Sequence, residues 1–549
     1  MSAAPAVTAE DQASPGAAGS GHRPPPTRES LLRRHLLGRV PSDRLWGWVG
    51  PLLVTALAGV LRFWRLDQPH QLVFDETYYV KQAYTYLKVG YELRWPNPSD
   101  ESFTAGTPDI YLSSADFPVH PPVGKWMIAV GEWLFGIDDS WGWRFSAAVC
   151  GTLMVLMTAR IARRLFSSTL LGVVAGLLLA VEGHHFVHSR TSLLDIFLAF
   201  WVLAAFGALL VDRDRSRTLL ARRVARSQAY RPVEDADTHA ARLGSALGPA
   251  LGWRPWRLVA AVCLGLAVGT KWSGLYFLAV FGLMTVLWDM GARRAVGVPA
   301  WIRGGVLKDG VPAALTMLPI VLVVYVASWG GWFASKDAHL RQWGAQHPSS
   351  TWVPDAFRSF WKYHEDMWAF HVGLSSPHPY SANPWSWLVQ GRPTSFFYEG
   401  PKLGEMGCKV ESCSKAITSL GNVVIWWGGT AALAVLLFCW LLRRDWRAGA
   451  VLAGVAAGYL PWFMYQHRTI YAFYSVAFVA FIVLGLTYVL GLILGPRKAP
   501  RRRRVVGAVA AGSVVVLAVL CFAYFWPIYT AEVIPYAQWH ARMWFPSWI

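Results

Sequence analysis

The chain has 549 residues, of which 54% are hydrophobic and only 15% charged. A soluble chain of this length carries about a quarter charged residues and divides into several domains, so the composition excludes an ordinary soluble protein and fits a polytopic membrane protein. The net charge of +18 does not mark a nucleic-acid binder, because the basic residues gather in loops between apolar runs, at 213–231, 293–308, 443–447 and 497–504. Cytoplasmic loops carry that excess as a topology signal.

Residues 1–44 are rich in Ala, Pro, Ser and Arg without apolar periodicity, which predicts a disordered cytoplasmic tail. No signal-peptide core precedes the first apolar run at 45–64, so that run is expected to act as an uncleaved signal anchor. Further runs at 141–161, 170–181, 192–211, 258–269, 274–288, 311–329, 423–442, 448–463, 470–494 and 505–524 predict about eleven spans, at roughly 20 residues per crossing. Whether the Ser273–Gly274 junction separates two spans or kinks one stays open. With the N-terminus inside, the basic loops fall in the cytoplasm together with Arg160, Arg163 and Arg164. Two long segments, 65–140 and 332–422, then fall outside. The expected organisation is a transmembrane module over 45–331 carrying the first loop, an external loop over 332–422, and C-terminal helices with a short external tail over 423–549. Neither loop shows the sustained alternation of a β-rich module. No internal repeat is apparent, which weakens a transporter reading.

Four cysteines lie in apolar runs, whereas Cys408 and Cys413 stand in a polar stretch of the second loop, where a disulfide is plausible. Asp75 and Glu76 follow the first span closely, among aromatics. A carboxylate near hydrocarbon is desolvated and becomes a better base; alternatively the pair caps a helix running on through Tyr84. His120-Pro121-Pro122 leads through Lys125 into an amphipathic run. His120 and Lys125 could face a phosphate, or Lys125 could anchor an interfacial helix. Arg144, Arg190, Asp195 and Lys271 stand at span ends on the same side, where cations need anionic partners. They suit a lipid-phosphate pocket, unless Arg190 pairs with Asp195. The second loop carries His378 and Trp385 among prolines and aromatics suited to a sugar or peptide. His364, His371 and His378 recur every seven residues, but Gly373, Pro377 and Pro379 interrupt that face, which argues against a metal.

Taken in order, Asp75-Glu76, His120-Pro121-Pro122, Arg144, the 190–195 stretch, 269–274 and 376–387 resemble the protein O-mannosyltransferases over residues 45–545, most nearly the actinobacterial polyprenol-phosphate-mannose-dependent members. The resemblance implies an all-α GT-C membrane fold and transfer of mannose, with inversion, from a polyprenyl monophosphate to Ser or Thr of a translocating polypeptide. It implies Asp75 as base with Glu76 assisting, and Arg144, Lys271, Arg190 and Arg468 as donor-phosphate residues. Asp195, His120, Lys125, His378 and Trp385 are the expected substrate contacts, and no cofactor or metal is expected. The second loop is much shorter than in eukaryotic relatives, which carry a β-trefoil domain there, so acceptor recognition falls to the compact loop or to a partner such as the secretion channel. The expected setting is the plasma membrane with the active site outside. A GT-C enzyme acting on a cell-envelope glycolipid or polysaccharide is the nearest rival, and a lipid or solute transporter the next.

Overall fold

The structure, a computed structural model, describes residues 26–38, 43–227, 246–496 and 498–549. Among these, nine helices are long and apolar enough to cross a membrane. In chain order, a short helix α1 (Arg28–Leu37) precedes the first apolar helix α2 (Trp46–Phe63). Next come α3 (Glu76–Val89), α4 (Asp100–Thr104) and the amphipathic α5 (Val123–Phe135). The bundle continues with α6 (Ser140–Phe166), α7 (Thr169–Ala180), α8 (Gly183–His188) and α9 (Leu194–Arg226). Beyond residue 246 lie α10 (Pro255–Val268), α11 (Gly274–Ala295) and α12 (Trp301–Ser328), whose second turn is a π-helical stretch. The segment after α12 carries α13 (Asp355–Gly373), and the last helices are α14 (Val423–Arg443), α15 (Trp446–Tyr459), α16 (Val479–Leu494) and α17 (Arg501–Tyr529). The expected third and fifth spans correspond to α7 and α10, with 12 and 14 residues, fewer than the roughly 20 that a perpendicular crossing takes.

The structure departs from the sequence reading in three places. Most of the expected disordered tail lies outside the described residues, but Arg28–Leu37 is helical and lays Leu36 on Leu220, Ala221 and Val224 of α9. The polar loop also holds a small antiparallel sheet, β1 (Thr394–Glu399), β2 (Cys413–Ser419) and β3 (Val533–Pro535), in the order β1-β2-β3. Sequence periodicity missed it because the strands are short and β3 comes from the chain's far end. Cys408 and Cys413 are disulfide-bonded beside β2. Finally, Arg293 of a basic loop, with Arg254 and Arg257 at the start of α10, serves inside the fold. Arg293 is buried against Asp309 at 2.6 Å, and Arg254 and Arg257 share Asp212 and Asp289.

Buried polar groups join the two halves of the bundle. The Glu182 carboxylate caps α8 through the amides of His184 and His185, and accepts from the Asn422 amide and the Trp426 indole at the start of α14. A buried carboxylate requires donors on this scale. Elsewhere helices meet through glycine. A Cβ on Gly142 would lie 1.9 Å from the Gly136 carbonyl oxygen, at the tight turn into α6. Gly142→Ala is therefore expected to destabilise the protein by about 1–3 kcal/mol through forced backbone displacement. Thermal unfolding of the purified variant in detergent checks this, and an unchanged Tm would show that the turn yields freely.

Candidate active site

The first loop is fixed from below by a buried ion pair. Arg144, in the first turns of α6, reaches Glu76 through Nε at 2.9 Å and Nη2 at 2.8 Å. Its remaining N–H groups donate to the carbonyls of Leu66, Pro69 and Gln71. The Glu76 carboxylate also accepts from the amides of Val73 and Ser192, at 3.0 and 2.8 Å. Every donor and acceptor of the pair is thus satisfied, the condition under which a charged pair tolerates burial.

Fixing Glu76 sets where Asp75 points. Phe74, just before it, has φ +52°, an uncommon left-handed conformation for a bulky residue. It is held there by stacking on Phe396 at 4.7 Å and by edge contact with Phe473. Backbone strain of this kind persists only where the surroundings over-determine it. Asp75 starts α3 without using its side chain as a cap, so the carboxylate stays half-buried among Tyr79, Asp195 and Lys271. Burial pushes its carboxyl up to about 6; Lys271 draws it down, Asp195 raises it, and a hydrogen bond from Tyr79 draws it down again.

Next to Asp75 opens a cavity of about 200 Å³ lined by His120, Asp195, Lys271, Tyr474 and Arg468. Its position follows from the interruption between α10 and α11. The chain leaves the helix at Gly269, whose carbonyl accepts from the Val123 amide at the start of α5. Lys271 therefore projects from a break in the apolar wall, paired with Asp195 at 2.7 Å and 5.2 Å from the Tyr474 ring centre. Arg468 carries no side-chain ion pair or hydrogen bond among the described residues, and its buried Nε is unpartnered. His120 and His371 lie 5.1 Å apart, ring to ring, with His371 bonded to the Val119 carbonyl. Burial holds both imidazoles below their ordinary value, His371 at about 4 and His120 well down. Both are neutral near pH 7, so the cavity's positive charge rests on Lys271 and Arg468. No cluster of three or more metal-capable side chains occurs among the described residues.

The predicted residues therefore separate. Asp75, His120, Asp195, Lys271 and Arg468 converge. Arg144 does not reach the cavity as a phosphate ligand, because Glu76 and three carbonyls consume its donors, and the same pair withdraws Glu76 from any role as assisting base. Arg190 neither pairs with Asp195 nor faces the cavity; it donates to the carbonyls of Arg62, Trp64 and Arg65 after α2. Lys125 is buried against Glu92 at 2.6 Å and bonds the His120 carbonyl, which makes it a brace under His120. His378 packs on Tyr471, and Trp385 is 73% exposed against Phe463; neither lines the cavity. Tyr79, Trp272, Trp462 and Tyr474 were missed. Tyr79 was legible as the residue four after Asp75, one helical turn above it.

The C-terminal four-transmembrane region of protein O-mannosyltransferases matches residues 356–548, and the dolichyl-phosphate-mannose-protein mannosyltransferase model matches residues 52–219. A polyprenol-phosphate-mannose–protein mannosyltransferase of Mycolicibacterium smegmatis is 39% identical, with 92% of this chain and 94% of the relative covered. The chain belongs to the protein O-mannosyltransferase family. The Corynebacterium glutamicum relative of the same name is 33% identical, covering 87% of this chain and 88% of its own. The S. cerevisiae protein O-mannosyltransferase Pmt1–Pmt2 complex shares the fold at a TM-score of 0.65, with 15% identity over 95% of this chain and 94% of that chain. The protein is accordingly a glycosyltransferase built on the all-α GT-C membrane fold.

Two consequences are measurable. Glu76→Gln strands part of the Arg144 charge in a buried site and is expected to cost about 3–5 kcal/mol of stability, read as a large fall in Tm; an unchanged Tm would remove the pair from the framework. If Asp75 takes a proton in turnover, its raised pKa places activity on the deprotonated side. The rate should then fall about tenfold per pH unit below about 6 and level off above it. A flat profile between pH 5 and 7 would exclude Asp75 as the base.

Proposed function

We propose that the protein transfers mannose from a polyprenyl-phosphate-mannose donor to Ser or Thr hydroxyls of secreted or membrane polypeptides, with Asp75 as base. The observation that carries this reading is Asp75 itself, a half-buried carboxylate with no salt bridge among the described residues, set beside Asp195 and Lys271; those two also line the cavity, where, among the described residues, Arg468 is the cation without a side-chain partner. The relatives' common name, polyprenol-phosphate-mannose–protein mannosyltransferase, supplies the donor and acceptor classes.

The reaction is a single displacement. The acceptor oxygen forms its bond to C1 of mannose as the C1–O bond to phosphate breaks on the opposite face, inverting the centre. The hydroxyl proton passes to an Asp75 carboxylate oxygen, and the bonding pair leaves with the polyprenyl phosphate. Arg468 meets the growing phosphate charge directly, and Lys271 adds a share reduced by its bond to Asp195. Fixed cations in a water-poor site stabilise such charge without reorganisation. His120, neutral and braced by Lys125, suits a hydroxyl of the sugar. The proposed orientation puts the N-terminus in the cytoplasm and this cavity at the outer face of the plasma membrane, where the secretion channel could present the acceptor.

The reading is tested with membranes containing wild type, Asp75→Asn or Arg468→Gln, given radiolabelled polyprenyl-phosphate mannose and a Ser/Thr-rich peptide. Asp75→Asn should lose about 10²–10⁴-fold in turnover while retaining donor binding. Arg468→Gln should weaken both binding and turnover. Label passing to lipid rather than peptide would replace the polypeptide with a glycolipid acceptor; wild-type turnover by Asp75→Asn would remove the base.

A further inference from the structure

A second cavity, of about 780 Å³, lies at the opposite end of the bundle, where the ends of α6 and α9 meet the start of α15 beneath α1. Between Arg144 and Arg163 the helix α6 rises about 28 Å at 1.5 Å per residue, so this cavity is remote from Asp75. Eight arginines line it against two carboxylates, Asp214 and Asp445. Those carboxylates and Asp43 engage Arg164, Arg213, Arg447 and Arg163.

The other four arginines have no carboxylate partner. Arg160 bonds the Gly47 carbonyl and stacks over Trp48, and Arg217 bonds the carbonyls of Leu36 and Trp288. Arg33 and Arg215 are exposed and make no side-chain hydrogen bond or ion pair among the described residues. Arg213 is only 4% exposed, lies over the Trp446 ring, and has an unpartnered Nε. Cation density of this kind, gathered around a void and partly desolvated, calls for an anion.

The surroundings indicate which anion. Leu45, Trp46 and Trp48, at the start of the apolar helix α2, are 70%, 62% and 51% exposed beside the Arg160 edge of the cavity. Exposed Trp at the end of a membrane span sits at headgroup depth, which brings the cavity mouth level with lipid phosphates. Basic pockets between membrane helices at this level recognise acidic headgroups. We propose that the cavity is a second ligand site, which binds the phosphate-bearing headgroup of an anionic phospholipid and clamps α1 to the bundle through it.

Thermal unfolding of the full-length protein in detergent, titrated separately with phosphatidylglycerol, phosphatidylcholine and inorganic pyrophosphate, tests this. Phosphatidylglycerol should raise the Tm saturably and phosphatidylcholine should not. In the Arg33→Glu/Arg215→Glu variant the half-saturating concentration should rise about tenfold or more, and Arg215→Gln should shift it less. Both positions are exposed, so the variants fold, and retained mannosyl transfer by the unloaded variant confirms it. An equal response of wild type and double variant, or an equal effect of phosphatidylcholine, would overturn the proposal. Saturation by pyrophosphate with the same dependence on Arg33 and Arg215 would assign the cavity to a soluble anion instead.

Discussion

Glu76 and Arg144 meet as a two-pronged ion pair, 0% and 1% exposed, between the first loop and α6. Removing either charge from water costs several kcal/mol, and the pair survives because carbonyls and amides of the loop and the Ser192 turn complete its hydrogen bonds. That requirement fixes the loop. It ties the backbone from Leu66 to Val73 to one helix and leaves Asp75, the neighbouring acid, without a salt bridge among the described residues. Adjacent carboxylates thereby acquire opposite surroundings, one neutralised by arginine and one desolvated without a paired cation.

The same logic organises the cavity. A continuous apolar helix through residues 255–295 would have buried Lys271 within a wall; the interruption at 269–273 instead turns it to Asp195. Lys125 answers Glu92, and Arg190 answers the carbonyls left open where α2 ends. Among the described residues Lys271, the cavity's other cation, is partnered and Arg468, which follows the short 3-10 turn after α15, is not. An unpaired guanidinium in a half-closed space is costly without an anion.

The far end of the bundle contrasts with this economy. There Arg254, Arg257 and Arg293 are neutralised by Asp212, Asp289 and Asp309, while the arginines beneath α1 outnumber their carboxylates. Among the described residues two recesses thus hold arginines without a carboxylate partner, a small one containing Arg468 and a larger one beneath α1. Beside the first stands the desolvated Asp75 carboxylate, whereas the two carboxylates that line the second are engaged by arginines.

The sequence by itself determined the membrane class, the approximate places of the helices and the family, because apolar runs and motif order are one-dimensional. It also singled out Asp75 and Lys271 as charges near span ends, and the resemblance added Arg468. It could not apportion those charges. Glu76 beside Asp75, and Arg144 beside Trp143, read as site residues until the fold places them 2.8 Å apart; Asp195 reads as a partner for Arg190 until Lys271, 76 residues later, reaches it first. The sheet was hidden for the same reason, since β3 joins β2 from more than 100 residues away in sequence. Which charge is neutralised and which stays free depends on distances of a few ångströms between remote segments, and only the packed tertiary structure sets those distances.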